Sequence, residues 1–411
     1  DQALADRSLV DTVSVALAAR AEPVLQTAAV LDRAERFAVA AHILDFDDLH
    51  VPSTAHISTV CVPVALATGG GLRAYLTGAG AMARLGTVLG DAHYTRGWHT
   101  TATAGTLAAA VTAASAAGLD EEATVRALSL AVSAAGGVQA AFGTDGKAIQ
   151  VGLAAGAGIR AVRLAQRGAS ATPAAVDEWV RLSGGDPDRL ELDGPTIPGG
   201  LAVKLYPCCY ALQRPIGATI ELVSGEAGAA VRQGAVLRAE DVERIVVRTP
   251  ASSVKPLIHP RPTTGLEGKF SLEYAVAAAI LDRYPGFASF TDEAVRRREA
   301  QRLLRLVEVV TSPGGEGLLA GEVDIEVTTP TGTARARLAD PPGAPANPAP
   351  AEALDAKFTA CLAGTGVRVE DITWPSAAVL LDELWTDEGA GQGAETRVVT
   401  HAREGRVIAE R

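Results

Sequence analysis

From Leu4 to about Arg181 the chain places apolar residues at spacings of three and four almost without interruption, and it fills those positions largely with alanine and glycine. The period is helical. Faces this small bury useful area only when helix axes lie close together, so the feature predicts a tightly packed all-helical domain. "AAVLDRAERFAVAAHIL" (28–44) reads as one amphipathic helix, and "TAGTLAAAVTAASAAG" (103–118) as a small-residue helix closed by Gly118. Asp120 stands where an N-cap belongs before "EEATVRALSLAVSAAGG", whose first turn is acidic, as a helix N-terminus favours.

The pattern breaks at "SGGDPDRLELDGPTIPGG" (183–200), where Gly, Pro and Asp mark a boundary loop. Beyond it, "RIVVRTP" (244–250), "VEVVTS" (307–312), "EVDIEVTTP" (322–330) and "TARARLA" (333–339) read as strands, the last two around a Thr-Gly turn. "SLEYAVAAAILDRY" and "DEAVRRREAQRLLRLV" are predicted as helices between them, which makes this segment α+β. A proline-rich connector (340–350) leads back to helical patterns, "AEALDAKFTACLAG" and "SAAVLLDELW". The expected fold is therefore mainly α with a second α+β domain. Residues 1–200 form the helical domain, completed by 350–386; residues 201–349 form the smaller α/β domain. The tail 387–411 reads as two short polar strands, a possible hairpin.

At 411 residues the chain exceeds a comfortable single core, in keeping with two domains. Its formal charge of −11 predicts repulsion from nucleic acid and from anionic membrane surfaces, and an anionic ligand would need a local basic pocket. No long apolar run free of charge and dense glycine suggests a membrane span. The four cysteines (Cys61, Cys208, Cys209, Cys361) form no C-x-x-C pair and no cluster with zinc spacing, so neither a structural metal nor an iron–sulfur centre is expected. Reduced thiols and a cytoplasmic location are the matching expectation. Of 37 cationic residues just five are lysine, Lys147, Lys204, Lys255, Lys269 and Lys357, which makes each of them worth placing.

"LDFDDLH" (44–50) crowds three aspartates and a histidine against the end of an apolar helix, in a chain with 7 His. Alone it could be a polar turn. It recurs with other blocks in a definite order: "LDFDDLHVPSTAHIS", "GWHTTATAG", "FGTDGK", "LYPCCYALQRP" and "RPTTGLEGKFSLEYAVAAAILD". This set resembles the signature blocks of the MmgE/PrpD family, from about residue 25 to about residue 385. The resemblance implies a large all-helical domain, a smaller α/β lid and a homodimer. It also implies an active site between the domains that uses no metal or other cofactor, and a dehydratase, decarboxylase or epimerase activity on a small di- or tricarboxylic acid.

Position by position, the resemblance places active-site roles on Asp45, His56, His99, Lys147, Lys204 and Tyr274. Lys269, Arg261, Gln213 and His50 fall in or near the same blocks and are expected to bind substrate. His42 reads as a core or second-line histidine, Asp47 and Asp48 as acceptors for backbone donors in the turn, and Cys208 and Cys209 as small buried hydrophobes. The chemistry suits these types. Carboxylates need cationic or hydrogen-bonding partners, and charge that builds beside a carboxylate needs fixed donors and a tunable proton carrier. Leu49, Ile57, Ala148, Gln150 and Gln213 depart from the residues common at those block positions, so no named substrate carries over. A lyase is the leading expectation, an epimerase its rival, and a silent carboxylate-binding protein the alternative from outside enzymology.

Overall fold

The computed structural model describes residues 1–224, 237–313, 317 and 319–386. At the centre lies the Thr100–Ala116 helix, buried along almost its whole length and packed on the Gly71–Thr95 and Gly146–Gln166 helices. The small residues explain the closeness: a Cβ at Gly158 would stand 2.4 Å from the backbone nitrogen of Ala110. Gly146–Gln166 is the one helix among the described residues long and apolar enough to cross a membrane, but it is mostly buried within this bundle.

The Arg33–Ile43 helix crosses Gly146–Gln166 where Gly156 makes room for the Glu35 carboxylate; a Cβ there would come within 1.8 Å of it. Arg160 donates to Glu35 at 2.6 Å, and the Asp32 backbone N–H does so at 2.9 Å. This anchor matters because the far end of the helix carries the site. The run expected over 28–44 is thus two pieces. A 3₁₀ turn, Ala28–Val30, stops at Leu31, and the helix restarts after Asp32, whose extended conformation and Glu35 three residues on favour a new N-terminus. At the expected Asp120 cap, the carboxylate accepts from the Ala123 N–H at 2.8 Å.

A second core forms around a four-stranded sheet of order β2-β1-β3-β4, with β1 Arg244–Pro250, β2 Val307–Ser312, β3 Val323–Thr329 and β4 Gly332–Leu338. β1 and β2 pair in parallel, which requires the long helical crossover between them; β3 pairs antiparallel with both β1 and β4. Ile245, Val247, Ile325 and Val327 face the Gln213–Ser224, Leu272–Asp282 and Arg298–Leu306 helices in this core. The helix expected over "DEAVRRREAQRLLRLV" breaks at Arg297 (φ −52°, ψ 135°), whose guanidinium instead pairs with Asp282 at 2.7 and 3.0 Å.

After residue 350 the chain returns to the first core. Cys361, Leu362, Ile372, Ala377 and Leu381 are part of the helical cluster, and Trp374 and Trp385 donate to Asp6 and to the Leu25 carbonyl. The hairpin expected over 387–411 lies outside the described residues.

Candidate active site

The helix Arg33–Ile43 ends at Leu44, and Asp45 turns into the left-handed region at φ 52°. Aspartate tolerates that conformation better than most residues. The turn drives the Asp45 side chain between two ammonium groups: Lys204 Nζ donates to its Oδ1 at 2.6 Å and Lys147 Nζ at 3.3 Å. Lys147 also donates to His42 Nε2 at 2.7 Å, which fixes the His42 proton on Nδ1, 2.7 Å from Asp47 Oδ2. The same Asp47 oxygen lies 3.2 Å from His56 Nδ1, while His56 Nε2 is 3.8 Å from Asp45 Oδ1. Gln150 donates to His99 Nδ1 at 2.6 Å, so the proton of His99 belongs on Nε2. The His42 ring lies 4.9 Å from that of His56 and 5.6 Å from that of His99, centroid to centroid.

These groups stand on one side of a pocket holding about 480 Å³ of space, its mouth included. Asp45, His56, His99 and Lys147 line it together with Thr54, Tyr94, Cys209, Tyr210 and Ser252; Leu49, Phe142, Pro256, Phe270 and Leu319 give it an apolar wall. Tyr94 reaches it because the Gly71–Thr95 helix kinks at Gly90 (φ 61°, ψ −169°).

Burial raises the proton affinity of Asp45, but Lys147 and Lys204 outweigh it and hold the carboxyl well below the usual range. Burial likewise opposes Asp47, which His42 and His56 keep ionised. Burial lowers His42 to about 4 against the pull of Asp47, and it lowers His56 as well. His99 falls well below its ordinary value through burial and the nearby Lys147. The pocket therefore presents neutral imidazoles beside ionised carboxylates. Burial also lowers Lys147, whereas Asp45 and Asp47 overcome burial and raise Lys204.

Other residues named from the sequence stand elsewhere. Tyr274 is in the second core, its hydroxyl donating to the Ser289 carbonyl, and it does not reach the pocket; that carbonyl satisfies the buried phenol locally. Gln213 is fully buried behind the turn, accepting from the Leu205 and Tyr206 N–H groups at 3.1 Å and donating to the Tyr206 carbonyl at 2.9 Å. His50 is spent on Ser53 and the Pro198 carbonyl. Arg261 is largely exposed and donates to the Pro260 carbonyl at 2.8 Å. Lys269 Nζ bridges the Leu44 and Pro207 carbonyls at 2.6 and 3.0 Å, tying the loop to the second core rather than facing the pocket.

The sequence matches the MmgE/PrpD N-terminal domain over residues 34–180 and the MmgE/PrpD C-terminal domain over residues 206–373. The chain belongs to the MmgE/PrpD family. Cis-aconitate decarboxylase of Mus musculus is 28% identical to this MmgE/PrpD protein over 302 residues, covering 67% of the chain and 59% of the relative. Cis-aconitate decarboxylase of Homo sapiens is 28% identical over 296 residues, covering 67% and 60%. The chain thus spans about three-fifths of the length of these relatives.

Asp47 and Cys209 were not legible as residues of this candidate site, whereas His42 read as a core or second-line histidine. Asp47 does not serve turn N–H groups as expected but holds two imidazoles, and His42 is the relay between Lys147 and Asp47. Their spacing of five, which spans the helix end, was the available signal. Cys209 lines the pocket with its thiol pushed up to about 12, mainly by burial, so it is a neutral wall group. His42, Asp47 and His56 also offer one ligand atom each within 4.8 Å of one another, a spacing that would suit a metal ion. The ammonium groups of Lys147 and Lys204 on Asp45 oppose a dication there, and the His42–Asp47 distance of 2.7 Å is that of a shared proton.

Proposed function

We propose that the protein is a lyase, a dehydratase or decarboxylase that acts on a small di- or tricarboxylic acid without a metal, by proton transfer next to a carboxylate. The observation that carries this reading is Asp45: one carboxylate oxygen is gripped by Lys147 and Lys204, while Oδ2 is buried without a hydrogen-bond partner among the described residues. Beside it stands His56, whose burial lowers its proton affinity and favours the neutral ring; its Nδ1 lies 3.2 Å from Asp47 Oδ2 without a hydrogen bond among the described residues, and its Nε2 lies 3.8 Å from Asp45 Oδ1. A carboxylic acid in the pocket meets an ammonium for its charge, a proton acceptor, and the Nε2–H of His99 as a donor. In dehydration the acceptor takes a carbon-bound proton and the donor protonates the departing hydroxyl. In decarboxylation the carbon–carbon bond to the departing carbon dioxide breaks, its electrons run toward a remaining carboxylate that the donor groups stabilise, and a protonated group of the site then returns a proton to the carbon. Family membership and the two decarboxylase relatives support the reading.

The test is proton NMR in deuterated water with citrate, 2-methylcitrate, cis-aconitate and aminated dicarboxylates, with and without EDTA. Loss of water or release of carbon dioxide, undiminished by the chelator, is the expected outcome. Deuterium uptake without net conversion would make the protein an epimerase, and metal-reversible loss of turnover would return His42, Asp47 and His56 to the status of ligands.

A further inference from the structure

Four of the five lysines are buried, and all four ammonium groups converge on the loop that follows the Arg33–Ile43 helix. Three of them take consecutive carbonyl groups. Lys269 donates to Leu44 at 2.6 Å, Lys204 to Asp45 at 2.8 Å, and Lys357 to Phe46 at 2.9 Å. The first is the carbonyl of the helix C-cap, which the helix leaves without a partner, and the other two follow it just beyond the negative end of the helix dipole. The middle one belongs to the residue in the left-handed region, a conformation that persists only when its surroundings hold it.

Lys357 is not among the residues that line the pocket. It reaches in from the Ala351–Leu362 helix, lies 4.2 Å from the centre of the Phe46 ring, and is aimed by a buried ion pair with Asp11 at 2.5 Å. A buried ion pair stabilises a fold no better than well-packed apolar residues of the same volume. What such residues could not supply is a donor on the Phe46 carbonyl.

We propose that Lys357, with Lys269 as its counterpart from the second core, is a positioning residue. By holding the Leu44 carbonyl, in the peptide that precedes Asp45, and the Phe46 carbonyl, in the peptide that precedes Asp47, the two lysines fix the directions in which Asp45 and Asp47 point. The C-terminal return of the chain is then part of the site. The inference rests on the reading of Asp45 and Asp47 as site residues, but its test does not need a substrate.

The variants are Lys357→Met and the double variant Lys357→Met/Asp11→Leu, in which no charge is left buried alone. Arg33→Met serves as the control, because Arg33 also ties the same helix to the C-terminal segment, through Asp382. Amide hydrogen exchange over residues 44–50 and the ring NMR signals of His42 and His56 are measured on the full chain. The single variant is expected to unfold at lower temperature and the double variant to recover. Both should exchange about tenfold faster over 44–50 and show shifted His42 and His56 signals, while the control changes neither. On a substrate that the wild type turns over, kcat should fall about ten- to a hundredfold with KM little changed. Wild-type exchange and unshifted imidazole signals in the folded double variant would overturn the proposal. Where the methionine variants do not fold, Lys357→Arg, which keeps the charge but cannot place the same donor on Phe46, gives the same reading. A wild type without turnover would count against the lyase and leave these readouts to decide the positioning role.

Discussion

Asp45 and Asp48 lie three residues apart, both almost fully buried, and their proton affinities are displaced in opposite directions. Burial acts on both; the difference is the company. Asp45 has two ammonium groups within 3.3 Å, whereas Asp48 has hydrogen bonds from Ser58 and the nearby carboxylates of Asp11 and Asp47. Burial first, then Asp11, pushes Asp48 up to about 7. Since an unfolded aspartate titrates near 3.9, the folded state binds the extra proton between about 4 and 7, and this contribution to stability is lost as pH rises through that window. Asp48→Asn keeps an acceptor for the Ser58 N–H and removes the titration. Its melting temperature should therefore gain on the wild type as pH is raised from 4 to 7 and hold that gain above 7. A constant difference across the window would mean that Asp48 ionises normally. The acidic heptapeptide was legible in the sequence as a site, but the division of labour among its acids was not. Lys147, Lys204 and Lys357, which assign the roles, stand about 100 to 310 residues further on.

At the scale of elements, the strands and most helices were legible because their periodicity is local: β1 and β2 have the bounds that the sequence pattern gave them, and β3 and β4 differ by one residue at each end. Breaks within helical patterns were not. The kink at Gly90 leaves apolar spacing on both sides intact, yet it redirects the last turn so that Tyr94 enters the pocket while His93 is held by the Ser183 carbonyl and Thr103. Only glycine occupies φ 61°, ψ −169° without strain. Nothing lies within 4 Å of a Cβ at this position, so backbone conformation alone makes the demand. Gly90→Ala should lower the unfolding free energy by about 1–3 kcal/mol in denaturant titration and weaken carboxylate binding through a misplaced Tyr94. Unchanged stability would show that the helix runs straight through this position in solution.

The whole molecule sets a long-range field that opposes the site. Its formal charge is −11, while the only ammonium lining the pocket among the described residues is that of Lys147, buried and paired with Asp45. The two cores that build the pocket, helical on one side and sheet-backed on the other, were both foreseeable from the change of periodicity near residue 200. Their meeting around Asp45 follows from no local pattern, since none encodes which loop faces which; it was expected only through the family resemblance, which puts the site between the domains. A polyanionic substrate must approach against the net charge before it reaches a short-range cation. Salt screens exposed charges over about 8–10 Å at physiological strength and screens a buried pair much less. Raising ionic strength from about 10 to about 150 mM should therefore increase kcat/KM for a tricarboxylate, by a few-fold in the steering term, with less change for a monocarboxylate analogue. This is the reverse of the salt dependence shown by enzymes that attract their substrates. A kcat/KM that falls with salt would place the controlling potential at a positive pocket mouth rather than in the charge of the whole chain.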